Sequence, residues 1–179
     1  MGPVDDMQLI NLAKSGNARA MEGLFETYYM TVYRLAYKWC GVKEDAEDIA
    51  QEVFIKLVKK LNTFTQNSSF KTWLYRIVIN TAKDFARQRA AKWAYESAFV
   101  KQQRSTNPGH IEKDRLITIR LFAEIHKLPE KQKEALLLVF GEGLSHKEAA
   151  QTIGCAETTV SWRIYQARKK LKKFRELEI

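Results

Sequence analysis

At 179 residues, with 45% hydrophobic and 28% charged side chains, the chain can build one large or two small packed domains and is too apolar to be disordered. Eight glycines, three prolines and the absence of any alternating β-branched run predict an all-α fold, and no apolar run approaches the ~20 residues a bilayer-crossing helix needs. A formal net charge of +9 favours a polyanionic partner but does not separate nucleic acid from a membrane surface.

The N-terminus lacks a signal-peptide core, and the two cysteines, Cys40 and Cys155, suit a reducing compartment, so a cytoplasmic protein is expected. Asp5 or Asp6 can open a short first helix that stops near Gly16. A longer helix follows from about Ala18 to Trp39, with Met21, Phe25, Tyr28, Val32, Leu35, Ala36 and Trp39 on one face. Gly41 breaks it. The third helix begins in an acidic island, Glu44 to Glu52, suited to the positive end of the helix dipole; its inner stripe is Ala46, Ile49, Ala50, Val53, Phe54, Leu57 and Leu61. Asn62 to Ser69 reads as a polar loop in which Phe64 stands out, and a fourth helix runs from Phe70 to about Ala94.

From about Ser97 to Gly109 the periodicity fails, which predicts a flexible interdomain linker. The domains expected are 1–95, a linker 96–116, and 117–179. Both are basic: residues 1–95 carry 14 basic and 10 acidic side chains, residues 119–179 carry 12 and 8. Helical pattern resumes at Ile117, Leu121, Phe122 and Ile125, and Pro129 suits the first turn of a further helix.

The last stretch is the richest. Ser145 and Glu148 form a capping box, opening a short helix with Ala149, Ala150 and Ile153 inward, and Gly154 supplies the turn. On the next helix Val160, Ile164, Ala167 and Leu171 make an apolar stripe, while Thr158, Ser161, Trp162, Arg163, Tyr165, Gln166 and Lys169 occupy the other faces. Seven basic and no acidic side chains lie between Arg163 and Arg175. These are the parts of a helix-turn-helix that reads the major groove. A solvated αα-hairpin is the bland alternative.

Two more surfaces stand out. On the third helix Asp48, Gln51, Glu52 and Ile55 recur away from the core stripe; dipole matching explains the first-turn acids but not the isoleucine, whereas a partner-docking face explains both. On the fourth helix Arg76, Asn80, Lys83, Asp84 and Arg87 share a polar face, and the preceding loop adds Phe64, Asn67 and Ser68. Amides read base edges, cations neutralise phosphates, and an aromatic beside hydroxyls suits an extruded base. Phe64 serves equally as a lid on the core. Phe70 and Trp73 read as core.

The segments Asp45–Leu57 and Phe70–Ala82 resemble domain 2 of the extracytoplasmic-function (ECF) sigma factors of bacterial RNA polymerase, a sigma-E-like subgroup. Leu128-Pro129, Gly143-Leu144-Ser145, Glu148-Ala149-Ala150, Gly154, Thr159-Val160, Arg163 and Ala167-Arg168 resemble their domain 4. The resemblance implies an all-α protein of two small helical domains, a domain 2 bundle and a domain 4 helix-turn-helix. It implies that Asp48, Gln51, Glu52 and Ile55 dock the clamp helices of the largest core-polymerase subunit, and that domain 4 meets the flap of the second-largest. Phe64, Asn67, Ser68, Arg76, Asn80, Lys83, Asp84 and Arg87 would then serve the minus-ten element. Thr158, Ser161, Trp162, Arg163, Tyr165, Gln166 and Lys169 would serve the minus-thirty-five element. An anti-sigma protein, holding the factor at the inner membrane in some members, is the family's usual regulator.

Trp162 stands where the family often has a small residue, Asp84 where some relatives carry an amide, and Arg163 borders the core stripe. A stand-alone helix-turn-helix regulator is the alternative function. No cofactor or small-molecule substrate is expected. An enzyme has little support, because His110, His126 and His146 lie far apart without metal-ligand spacing.

Overall fold

The structure, a computed structural model, describes residues 6–96 and 121–177, and every element among them is helical. The first body comprises α1 (Asp6–Lys14), α2 (Ala18–Cys40), α3 (Lys43–Lys60) and α4 (Phe70–Glu96). Asp6 is the first residue of α1, and its carboxylate accepts a 2.5 Å hydrogen bond from the Tyr28 hydroxyl, tying α1 to α2. Burial, reinforced by that bond, pushes the Tyr28 phenol above its ordinary value. Asn17 caps α2 by accepting from the Ala20 amide at 3.1 Å. Gly41, at φ +74°, ends α2 in the left-handed conformation that a side chain resists.

The predicted stripe of α3 is buried in full, against α2 and α4. A tight 3-10 turn, Leu61–Thr63, carries the chain into the loop before α4. The Ser69 hydroxyl accepts from the Thr72 amide at 3.1 Å, starting α4. This helix runs two residues past the predicted end, to Glu96. The rest of the predicted linker, and residues 117–120 of the predicted second domain, lie outside the described residues.

The second body starts with α5, described over 121–127, followed by α6 (Glu130–Leu136), which Pro129 initiates. A wider, π-type turn, Leu137–Gly141, extends α6. The helices α7 (His146–Ile153) and α8 (Glu157–Leu177) complete it. The capping box is present in both directions: the Ser145 hydroxyl accepts from the Glu148 amide, and the Glu148 carboxylate accepts from the Ser145 amide at 2.8 Å. The Ser145 hydroxyl, which donates to the Glu148 carboxylate at 2.7 Å, and then the Ser145 amide hold the Glu148 carboxyl below its usual range. Gly154 follows at φ +68°. One inward position of α7 differs from expectation. Thr152 is buried and Ile153 is half-buried, because the Thr152 hydroxyl is satisfied by the Glu148 carbonyl at 2.8 Å and can turn inward.

The sequence left the relation of the two bodies open. In the structure they pack together: α4 lies against α7, and α2 lies against the π-type turn. Ile125, Leu128 and Leu138 of the second body join the same buried cluster as Trp39, Leu74 and Ile79 of the first.

Candidate nucleic-acid interface

On α3 the residues Asp48, Gln51, Glu52 and Ile55 are all exposed on one ridge. Ile55 keeps 49% of its surface in solvent, and Val58 adds a second exposed aliphatic one turn on. Glu52 lies 3.8 Å from Lys56, an i,i+4 pair of the kind worth only tenths of a kcal/mol. The ridge therefore has side chains available to a partner, around an apolar centre.

The polar face of α4 divides in two. Asn80, Asp84 and Arg87 are exposed; Asp84 lies 3.6 Å from both Lys56 and Arg87. Arg76 and Lys83 are engaged by the second body. The Arg76 guanidinium donates to the Thr152 carbonyl at 2.9 Å and to the Gln151 carbonyl, both at the C-terminal end of α7. Lys83 donates to Glu134 at 2.7 Å, with Glu130 at 3.8 Å. Nothing in the sequence spacing couples these partners, which lie 51 to 76 positions apart.

Phe64 departs from the base-stacking expectation. Its ring is 3% exposed, wedged against Phe70 and Trp73 at centroid distances of 5.3 and 5.4 Å, with the Lys14 ammonium 5.4 Å over it. Lys14 also donates to the Phe64 carbonyl at 2.6 Å, so the loop is pinned to α1 from both sides of the residue. A ring so enclosed lends its area to the core and offers no face to a base in this conformation. Phe64 is the core lid. Asn67 is exposed and Ser68 half-buried at the mouth of a cleft of about 890 Å³, whose far wall is the helix-turn-helix: Lys147, Gln151 and Cys155.

Of the residues predicted for the outer faces of α8, Thr158, Ser161, Trp162, Tyr165 and Lys169 are exposed. Spaced at i, i+3, i+4, i+7 and i+11, they form one longitudinal face opposite Val160, Ile164 and Ala167. Trp162 and Tyr165 are the most open large apolar side chains of the described residues, at 59% and 61%. Arg163 and Gln166 are half-buried on the flanks of that face. Ser161 is held 2.8 Å from His146 Nδ1 of α7, a cross-link within the helix-turn-helix that the sequence did not expose.

The sequence reading also missed the polar links that join the bodies. Glu142 accepts from Lys38 at 2.8 Å and from the fully buried Tyr75 hydroxyl at 2.7 Å. Burial, then this bond, raises the Tyr75 phenol above its ordinary value. Lys38 also donates to the Gly141 carbonyl at 2.6 Å. Lys133 lies 4.3 Å over the Trp39 ring. Beside it His126 Nε2 is buried without a hydrogen-bond partner, and burial followed by the Lys133 charge holds the imidazole below its ordinary value. Histidines 126 and 146 lie in different parts of the second body, His110 falls outside the described residues, and no cluster of metal-ligating side chains occurs among the described residues.

An exposed acidic–apolar ridge, a polar helix face beside it and a helix-turn-helix on a second helical body define a two-domain, DNA-directed transcription protein. The family models agree: residues 24–92 match Sigma-70 region 2 and residues 119–171 match Sigma-70 region 4. The chain is 32% identical over 178 residues to the RNA polymerase sigma-H factor of Pseudomonas aeruginosa, covering 94% of this chain and 92% of that one. It is 32% identical over 174 residues to the ECF RNA polymerase sigma-E factor of Escherichia coli strain K12, covering 91% and 90%. Among solved structures, CnrH in complex with the cytosolic domain of CnrY aligns over 97% of this chain and 99% of its own, with TM-score 0.72 and 26% identity. The chain belongs to the ECF sigma factors of bacterial RNA polymerase, in the sigma-E-like group. It is a factor that binds core polymerase and directs promoter recognition and transcription initiation; a free-standing regulator is not favoured. Sigma factors are initiation factors, not enzymes. No helix among the described residues is long and apolar enough to cross a membrane.

Proposed function

We propose that the three surfaces divide the work of initiation. Asp48, Gln51, Glu52 and Ile55 dock the clamp helices of the largest polymerase subunit, Ile55 as the buried anchor and the polar groups fixing register. Asn67, Ser68, Asn80, Asp84 and Arg87, joined by Arg76 and Lys83 once these leave their present partners, hold the minus-ten element as its strands part. A carboxylate at Asp84 accepts from a cytosine amino group, and an amide at Asn80 pairs with adenine. Thr158, Ser161, Trp162, Tyr165 and Lys169 face the minus-thirty-five groove, with Arg163 and Gln166 at its edges. Residues 1–95 and 117–179 act as the two domains, 96–116 as their tether. The chain itself carries no catalytic step.

The exposed ridge with a half-open isoleucine at its centre is the observation that carries this reading, since a solvated helix gains nothing from it. The energetics require division of labour. A good bidentate base contact gives ~1–3 kcal/mol of discrimination, and each unstacked base costs a few kcal/mol. Two small helical bodies do not open duplex DNA without the polymerase. The test is reconstitution with core polymerase on DNA upstream of the gene's own operon. A promoter-dependent transcript is expected, and its absence from every such region overturns the reading.

The regulator is an anti-sigma protein, as is usual in the family, consistent with CnrH having been solved bound to the cytosolic domain of CnrY. Through such a partner the factor would be retained at the inner membrane. Cell fractionation with and without that partner checks this: loss of the partner should release the factor to the soluble fraction.

A further inference from the structure

We propose that Trp162 and Tyr165 are the sequence-reading pair of α8, and that what they read is thymine: the 5-methyl groups of adjacent thymines in the major groove of the minus-thirty-five element. This deepens the assignment of α8 to that element and rests on it.

Neither ring serves the fold. Trp162 and Tyr165 are the most open large apolar side chains of the described residues, and among those residues neither has a stacking, cation or hydrogen-bond partner. Large apolar groups left open side by side mark a contact surface. A helix turns about 100° per residue, so Trp162 falls almost diametrically opposite the buried Val160, Ile164 and Ala167. Both rings lie within the first nine residues of α8, the end of a recognition helix that meets base edges. The charge around them chooses the occupant. No carboxylate occurs between Thr158 and Arg175, and Arg163, Arg168, Lys169 and Lys170 flank the rings, which suits a phosphate-walled groove.

The polar neighbours leave the reading to the rings. The Ser161 hydroxyl is taken up between His146 Nδ1 at 2.8 Å and the Glu157 carbonyl at 3.2 Å. Arg163 and Gln166, the types suited to bidentate base contacts, are half-buried to the side. The centre of the face therefore offers apolar area, one indole N–H and one phenol hydroxyl. Thymine is the base whose major-groove edge carries a methyl, with an O4 acceptor beside it. An indole N–H only donates, so it suits that acceptor and cannot satisfy the amino group that cytosine presents instead. Three residues advance a helix by about 4.5 Å, close to the roughly 3.4 Å between successive bases, so the two rings match two neighbouring thymines.

The test uses the chain assembled with core polymerase. Duplex promoter fragments keep the minus-ten region of the gene's own operon and carry randomised base pairs at the minus-thirty-five element. Wild type should enrich adjacent thymines among the transcribed fragments. Fragments selected by Trp162→Ala should be no richer in thymine there than the starting library. On an enriched fragment, replacing those thymines by deoxyuridine removes the methyls and nothing else. Binding by the wild-type holoenzyme should weaken about fourfold per methyl, the factor that burying one such group supplies. Trp162→Ala should not distinguish the two DNAs at one position, and Tyr165→Ala should not distinguish them at its neighbour. Both side chains are exposed, so the thermal melts of the variants should match wild type. Equal wild-type affinity for thymine and deoxyuridine, or a deoxyuridine penalty undiminished in both variants, overturns the proposal. If wild-type holoenzyme gives no promoter-dependent transcript, the functional reading falls and this proposal with it. If it transcribes but is indifferent to the methyls, only this proposal falls.

Discussion

Truncating Phe64 to alanine distinguishes a core lid from a base-stacking side chain. The ring is almost wholly enclosed and contacts Phe70 and Trp73, with Lys14 above it. Replacing a buried phenylalanine costs ~3–5 kcal/mol in lost transfer and cavity energy. Each aromatic pair accounts for about 0.5–1.5 kcal/mol within that total. The Lys14 bond to the Phe64 backbone carbonyl survives the substitution, which places the expectation at about 3–4 kcal/mol. Urea unfolding of the full-length chain should show this as a lower midpoint with an unchanged slope. Asn67→Ala, on the same loop but exposed, should stay within about 0.5 kcal/mol of wild type. A Phe64→Ala loss below about 1 kcal/mol, with the defect confined to strand opening, would show that the ring leaves the core to meet DNA and would refute the lid assignment.

Other substitutions address the remaining surfaces. Ile55→Glu forfeits about 1 kcal/mol of burial against the partner and places a carboxylate where an apolar anchor belongs, so core affinity should drop ten- to a hundredfold in a binding titration. Folding should be untouched, because the position is half open; unchanged core affinity means the ridge is not the docking face. Gly41→Ala must place a side chain at φ +74°, a strain of roughly 1–2 kcal/mol. Its Cβ would also sit 2.9 Å from His126 Nε2, so the melting temperature should fall and exchange quicken over 121–127; a wild-type melt contradicts both arguments. His126 is held below its ordinary value of 6.5 first by burial and then by Lys133, so the unfolded chain binds the extra proton more readily. Its contribution is complete above pH 6.5 and is lost progressively as pH falls from there toward the depressed folded value. His126→Gln should flatten that part of a stability–pH curve, and an unchanged slope would remove the imidazole from the account.

Local chemistry in this chain was legible at the level of single elements. Helix ends at Gly41 and Gly154, the box at Ser145 and Glu148, and the buried stripe of α3 follow from backbone sterics, unpaired terminal amides and the 3.6-residue period. Those forces act within a turn or two, so neighbouring residues encode them. The same periodicity set Thr158, Ser161, Trp162, Tyr165 and Lys169 on one open face. It also left Arg163 ambiguous, since a flank position becomes groove or core only when the neighbouring helix is placed.

Partners far apart in the chain were decided by tertiary structure alone. Phe64 in a polar loop fits a stacking residue or a lid equally well until α1 and Trp73 close around it. Lys38 and Tyr75 look like ordinary helix residues in the sequence, and Arg76 and Lys83 look like free cations of a polar face. Their carbonyl and carboxylate partners come from α6, α7 and the turn between them, 51 or more positions further along the chain. A charge carries no mark of its counterion in the sequence, because Coulomb attraction depends on the final separation and on how much water remains there. Sequence alone therefore determined the helices, their faces and the family. Packing decided which of those faces are open, and which cations are already spoken for.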